Sequence, residues 1–204
     1  MTAARVTPST RVLLVRHGQS TWNADGRWQG QADAPLSALG EAQAKEAAAR
    51  VGRVDAIWAS DLVRASRTAG IVGEALSLDV QVDARLRERH AGPWQGLTRV
   101  EIEAQWPGDL AAGRRPDGFE PDASVLARAL DALGDLAGHH PAASVLVVTH
   151  GGVVRVLERH LGGDGEGLLA NLGGRRLLHR DGSWQLDGTV ELLDPSSRTV
   201  PGQL

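Results

Sequence analysis

Cysteine and tyrosine are missing from this 204-residue chain, phenylalanine and methionine occur once each, and Lys45 is its only lysine. Without cysteine there can be no disulfide, no thiolate nucleophile and no Cys-based zinc site, which fits a reducing compartment. With no tyrosine, a single phenylalanine and six tryptophans, the chain lacks the makings of an aromatic stacking surface for single-stranded nucleic acid. The formal net charge is −3 and the basic residues are scattered, so no surface for a nucleic-acid backbone is expected. No apolar run approaches the ~20 residues needed to span a bilayer, and the short polar start shows no signal peptide. These absences predict a cytoplasmic protein with no membrane and no nucleic-acid partner. What positive charge there is comes almost entirely from arginine, the side chain suited to bidentate phosphate recognition.

Residues 11–16 (RVLLVR) and 144–149 (SVLVVT) are short β-branched and aliphatic runs, the pattern of strands buried on both faces of a parallel sheet, and each is followed at once by His-Gly. Residues 56–59 (AIWA) form a third such run, and residues 80–82 a fourth strand at an edge. Ser37 caps a predicted helix through Val51, with Leu36, Leu39, Ala44, Ala47 and Val51 along one face and Glu41 near its positive end. A second helix follows Ser60 and a third covers residues 123–136. Residues 175–180 and 183–190, separated by Asp181-Gly182, predict an antiparallel hairpin. The glycine-rich residues 162–167 (GGDGEG) lack the strand-loop-helix setting of a nucleotide loop and predict a surface loop. The fold class is therefore α/β: a three-layer α/β/α sandwich on a mostly parallel sheet with an antiparallel edge, one domain over residues 1–204 with residues 1–10 flexible.

In open α/β sheets ligands gather beyond the carboxyl ends of the strands, where the two His-Gly steps put His17 and His150. Four segments carry a resemblance. LVRHGQSTWN (residues 14–23) runs on through Arg27, Gln29, Gly30 and ADAPLSALGEAQA (residues 32–44). SDLVRASRTA covers residues 60–69, LRERHAGPWQG residues 86–96, and VVTHGG residues 147–152. In this order they resemble the histidine phosphatase (phosphoglycerate-mutase-like) superfamily over about three quarters of the chain.

The resemblance implies that His17 is the nucleophile, forming a phosphohistidine, with a backbone carbonyl near Gly18 holding the proton on its other ring nitrogen. It implies that Arg16 and Arg64 grip the phosphoryl oxygens, that His150 donates a further hydrogen bond, and that Asn23 adds a neutral donor. Glu88 hands a proton to the leaving alkoxide and later takes one from water. Arg67, one turn beyond Arg64, is expected to be a solvated side chain. No metal or cofactor is implied, and the clustered carboxylates of a dinuclear metal phosphatase are missing around the two histidines.

The same family holds phosphoglycerate mutases. Glu88 and His150 stand 62 positions apart, a shorter stretch than the mutase pattern with its insertion, and Ala91 stands where mutases tend to carry tyrosine. Arg114-Arg115 echo a mutase pair in a poorly matching setting. A phosphatase is therefore expected, with a mutase as the alternative and a catalytically silent module of the same fold as the second. Gln29, Gly30, Arg89, His90, Arg99, Arg114 and Arg115 are candidates for the outer wall of the pocket, suited to a small phosphomonoester bearing a carboxylate or second phosphate. A homodimer is left open.

Overall fold

The two apolar runs that precede His-Gly are neighbours in space. In the computed structural model, which describes residues 9–165 and 169–200, β1 (Thr10–Arg16) pairs in parallel with β4 (Ser144–Thr149), with Arg16 opposite Thr149. Between them in the chain come α1 (Thr21–Ala24), α2 (Ala38–Arg50), β2 (Ala56–Ala59), α3 (Val63–Leu76), β3 (Val80–Val82), α4 (Arg99–Gln105) and α5 (Asp122–His139). After β4 follow α6 (Gly151–His160), β5 (Gly173–Arg180) and β6 (Ser183–Glu191). The sheet order is β3-β2-β4-β1-β5-β6, parallel as far as β1 and antiparallel across β5 and β6.

Alternation along the central strands divides the core. Val12, Leu14, Val145 and Val147 face α5 and α6 with Val125, Leu133, Leu136 and Leu157. Val15, Leu146 and Val148 face α2 and α3 with Ala47, Ala65, Ala69 and Val72. Both faces of each strand are thus covered, and this is why the runs are continuous rather than alternating with polar residues. The hairpin turn is as expected: Asp181 and Gly182 both have positive φ (51° and 76°), the two-residue turn whose twist matches the strands it joins.

Two expectations need correction, and one helix is additional. Thr10 lies inside β1 with its hydroxyl donating to the His140 carbonyl (2.8 Å), so the chain is already ordered at a residue expected to be flexible; residues 1–8 lie outside the described residues. Along α2 the buried face is Gly40, Gln43, Ala44 and Ala47, whereas Leu39 is exposed. Close backbone approach, not aliphatic bulk, decides that face: a Cβ on Gly40 would stand 1.9 Å from the Gln19 carbonyl oxygen, and one on Gly18 2.7 Å from the Gly40 oxygen. Finally, α4, capped by a Thr98/Glu101 box, was not foreseen from the sequence. Of the glycine-rich run, residues 166 and 167 fall outside the described residues.

A third cluster sits apart from the sheet. Ala91, Trp94 and Ile102 pack with Trp28, Leu97, Trp106, Leu110 and Phe119, forming a small cap at the carboxyl ends of the strands.

Candidate active site

Because β1 and β4 are adjacent and in register, their ends bring the two histidines together. The His17 backbone N–H donates to the Thr149 carbonyl (3.0 Å), and the rings of His17 and His150 meet edge-on with centroids 5.1 Å apart. Around the turn after His17 the backbone is held on three sides. Asn171 donates to the His17 carbonyl (2.9 Å), the Gly18 N–H donates to the Thr68 hydroxyl (3.1 Å), and the Gln19 N–H donates to the Gln43 side chain (2.9 Å).

The His17 tautomer follows from two hydrogen bonds. Nδ1 lies 2.6 Å from the Gly18 carbonyl oxygen, which can only accept, so the proton sits on Nδ1. Nε2 accepts from Nε of Arg64 at 3.2 Å. Burial, then the charges of Arg64 and Arg16, push the His17 pKa well below its ordinary value and keep the ring neutral. His150 is likewise held well below the ordinary value by burial, Arg64 and then His17. It is wholly buried, and neither ring nitrogen has a hydrogen-bond partner among the described residues.

Arg64 lies in the first turn of α3 and is fully buried, with Nη1 donating to the Ala32 carbonyl and Nη2 to the Gly30 carbonyl, each at 2.7 Å. Arg16 is 5 % exposed; its Nη1 donates to the Leu169 carbonyl (3.0 Å) while its buried Nε has no partner among the described residues. Burial lowers the pKa of each guanidinium to about 10, so both remain charged at neutral pH. Glu88 stands on the other side. Its Oε1 accepts from the Arg89 N–H (2.8 Å) and its Oε2 from the Gly152 N–H (3.0 Å) at the start of α6. A Cβ at Gly152 would meet Oε1 of Glu88, so any larger residue there displaces the carboxylate. The Glu88 carbonyl is itself clamped by Gln31 (3.0 Å) and Arg128 (3.2 Å).

Arg16, His17, Arg64 and Glu88, with Gly151 and Gly152, line the inner end of a cavity of about 680 Å³; His150, packed edge-on against His17, is not among its lining residues. Of the residues expected on the outer wall, Gln29, Gly30, Arg89 and Arg115 line it. Asn23, His90, Arg99 and Arg114 do not line it. The Asn23 side-chain oxygen closes a capping box by accepting from the Ser20 N–H (3.2 Å). His90 takes the Gly92 N–H on Nδ1 (3.1 Å), Arg99 is exposed at the start of α4, and Arg114 turns outward to Asp109 (2.7 Å). Arg67 pairs with Glu41 and Glu74 on the surface.

Sequence reasoning passed over Trp28, Phe119, Asp122, Arg155 and Arg159, all of which line the cavity. For Arg155 a signal existed: it follows Gly151 by four positions, and so shares its helical face. Trp28 and Phe119 come together only in the cap. Among the described residues, no group of three or more His, Asp or Glu side chains is placed to hold a metal ion, and no helix is long and apolar enough to cross a membrane.

Two buried guanidiniums, a neutral histidine with a fixed tautomer and a carboxyl group around one cavity make an arrangement whose charge and geometry suit a phosphoryl group. The chain is 40% identical over 166 residues to a glucosyl-3-phosphoglycerate phosphatase of Mycobacterium tuberculosis, covering 74% of each. It is 34% identical over 200 residues to a metal-independent phosphoserine phosphatase of Arabidopsis thaliana, covering 92% of this chain and 84% of that one. Among solved structures, the mycobacterial glucosyl-3-phosphoglycerate phosphatase in complex with VO3 superposes with a TM-score of 0.76 at 35% identity, over 87% of this chain and 97% of that one. Relatives described as probable phosphoglycerate mutases match as well, one from Enterobacter at 39% identity over 150 residues, covering 69% of each chain. The model of the histidine phosphatase superfamily (branch 1) matches residues 12–187, and the chain belongs to that superfamily.

Proposed function

We propose that the chain is a metal-independent phosphomonoester hydrolase that works through a phosphohistidine on His17, acting on a small phosphorylated metabolite in the cytoplasm. The observation that carries this reading is the pair of hydrogen bonds on His17, which leave the Nε2 lone pair toward Arg64 and the cavity.

The phosphoryl dianion binds between Arg16 and Arg64. An oxygen of the ester takes over the Nε–H of Arg64, which releases the lone pair of His17. Nε2 then attacks phosphorus in line, and the P–N bond forms as the P–O bond to the leaving alkoxide breaks. Glu88, protonated at this stage, gives its proton to that alkoxide. In the second step Glu88, now a carboxylate, takes a proton from water as its oxygen attacks phosphorus, the P–N bond breaks and inorganic phosphate leaves. The buried cations and a ring N–H of His150 stabilise the charge that builds on the equatorial oxygens in both steps. Fixed donors in a water-poor site need little reorganisation, which is why such groups contribute so much to phosphoryl transfer.

Hydrolysis is favoured over mutase chemistry by the short cap: between α4 and α5 only residues 106–121 span the mouth. The test is hydrolysis of p-nitrophenyl phosphate in the presence of a chelator, alongside interconversion of 3- and 2-phosphoglycerate primed by 2,3-bisphosphoglycerate. Full hydrolysis without metal and little primed interconversion are expected. Activity that needs added Mg²⁺ or Zn²⁺, or efficient primed interconversion, overturns the reading.

A further inference from the structure

The two peptide units that meet at Gly18 decide how His17 is aimed. A peptide is planar and trans, so its N–H and C=O point in opposite directions, and whatever holds one end aims the other. The unit joining Gly18 to Gln19 carries the carbonyl that accepts from Nδ1 of His17 (2.6 Å), and its N–H donates to Oε1 of Gln43 (2.9 Å). The unit joining His17 to Gly18 is held at its N–H by the Thr68 hydroxyl (3.1 Å) and at its carbonyl by Nδ2 of Asn171 (2.9 Å). Gln43 and Asn171 are both buried.

These two amides, one from α2 and one from the segment before β5, meet on a single hydroxyl. Oγ1 of Thr199 accepts from Nε2 of Gln43 (2.9 Å) and donates to Oδ1 of Asn171 (2.9 Å). A hydroxyl can do both at once, whereas an amide oxygen only accepts and an amide nitrogen only donates. Hydrogen bonds therefore run without a break from the Gln19 N–H through Gln43, Thr199 and Asn171 to the His17 carbonyl. The segment after β6 that carries Thr199 is docked by other bonds as well. The Thr199 carbonyl accepts from the Asn171 N–H (3.0 Å), and the Ser197 carbonyl accepts from Nε2 of Gln43 (2.9 Å). Loss of the hydroxyl alone thus leaves the segment in place but takes one partner from each of two buried amides.

We infer that Thr199 is a positioning residue for the nucleophile: its hydroxyl locks the two amides that set the peptide planes around Gly18, and so the aim of Nε2 of His17. This inference rests on the phosphohistidine reading. Thr199, Gln43 and Asn171 do not line the cavity, so the effect falls on the rate of attack and not on the binding of the phosphoryl group.

The experiment measures two quantities in the wild type, Thr199→Val, Thr199→Ala and Thr199→Ser. Rapid-quench single turnovers of p-nitrophenyl phosphate give the rate of His17 phosphorylation, and competitive inhibition by inorganic phosphate reports on the phosphoryl site. Valine keeps the shape of threonine without the hydroxyl, and alanine removes the hydroxyl without adding bulk; urea transitions check that each variant is folded. In both, phosphorylation should slow about 10- to 100-fold, the scale of a reacting group misplaced by up to about 1 Å. The inhibition constant for phosphate should stay within about twofold, because Arg16 and Arg64 are untouched. Thr199→Ser restores donor and acceptor and should return the rate to within about threefold of the wild type. An unchanged rate in the variants without the hydroxyl, a rise in the inhibition constant equal to the loss of rate, or no recovery in Thr199→Ser overturns the inference and leaves the phosphatase reading intact. A wild type that does not hydrolyse the ester, or hydrolyses it without phosphorylating His17, overturns the phosphohistidine reading itself.

Discussion

Nε of Arg64 stands 3.2 Å from Nε2 of His17, so in the resting site the arginine covers the atom expected to attack phosphorus. With Nη1 and Nη2 anchored on Ala32 and Gly30, Arg64 need shift its Nε–H only slightly to pass it to an arriving phosphoryl oxygen. In the proposed mechanism the same group thus fixes the nucleophile before binding and the substrate after it.

Arg64→Ala should therefore lower kcat/KM by two or more orders of magnitude, as loss of a donor to the transition-state oxygens does elsewhere. Arg67→Ala, one turn away with exposed partners, should change it by less than about threefold. Arg64→Lys should not rescue, because one ammonium cannot reach both carbonyls and His17 together. Steady-state kinetics on p-nitrophenyl phosphate checks all three; equal losses at positions 64 and 67 would refute the assignment.

The glycine after Gly151 offers a second test. Gly152→Ala puts a methyl group into the space of the Glu88 carboxylate without backbone strain. It should slow hydrolysis of alkyl phosphates by about 10²-fold or more, the scale of lost general acid–base catalysis. The ester of a good leaving group should suffer less in phosphorylation of the enzyme. Rapid-quench kinetics on the two ester types measures the difference, and equal slowing of both first steps would count against Glu88 as the acid.

Stability should depend on pH through the two buried histidines. Their pKa values in the folded protein lie well below the ~6.5 of the unfolded chain, so below about pH 6.5 the unfolded state binds more protons than the folded one. Stability is then present in full above pH 6.5 and falls as the pH drops, by up to about 1.4 kcal/mol per pH unit for each histidine, until the folded values are reached. Between pH 5 and 6.5 the carboxylates contribute little, as their unfolded values are near 4. Urea midpoints across that window should fall more steeply for the wild type than for His150→Gln; identical slopes would show that His150 is not held neutral by burial.

Much of this was legible from local signals. Continuous apolar runs ending in His-Gly identified the central strands, because strands buried on both faces leave that mark. Asp181-Gly182 identified the hairpin, since few residue pairs accept two positive φ values. What stayed hidden was contact between distant segments. Leu39 looked like a core residue, but Gly40 sets the rotation of α2 through a backbone contact that no periodicity displays. Asn23, His90 and Arg114 suited a phosphate pocket by type, yet each is taken up by a neighbour within a few residues. Thr68, Gln43 and Asn171, which hold the His17 turn, come from 24 or more residues away. Their polarity alone pointed to nothing.

The central claim, a covalent phosphohistidine on His17, is tested most directly by trapping it in Glu88→Gln. That variant keeps the shape of the carboxylate but lacks the acid and the later base. With p-nitrophenyl phosphate, whose leaving group needs little acid, His17 should still be phosphorylated and then hydrolysed slowly. Quenching at alkaline pH, where phosphohistidine survives, should recover acid-labile phosphoprotein with the label mapping to His17, and His17→Ala should carry none. Absence of label from both wild type and Glu88→Gln, or label on His150 or any other residue, would contradict the two-step mechanism on His17.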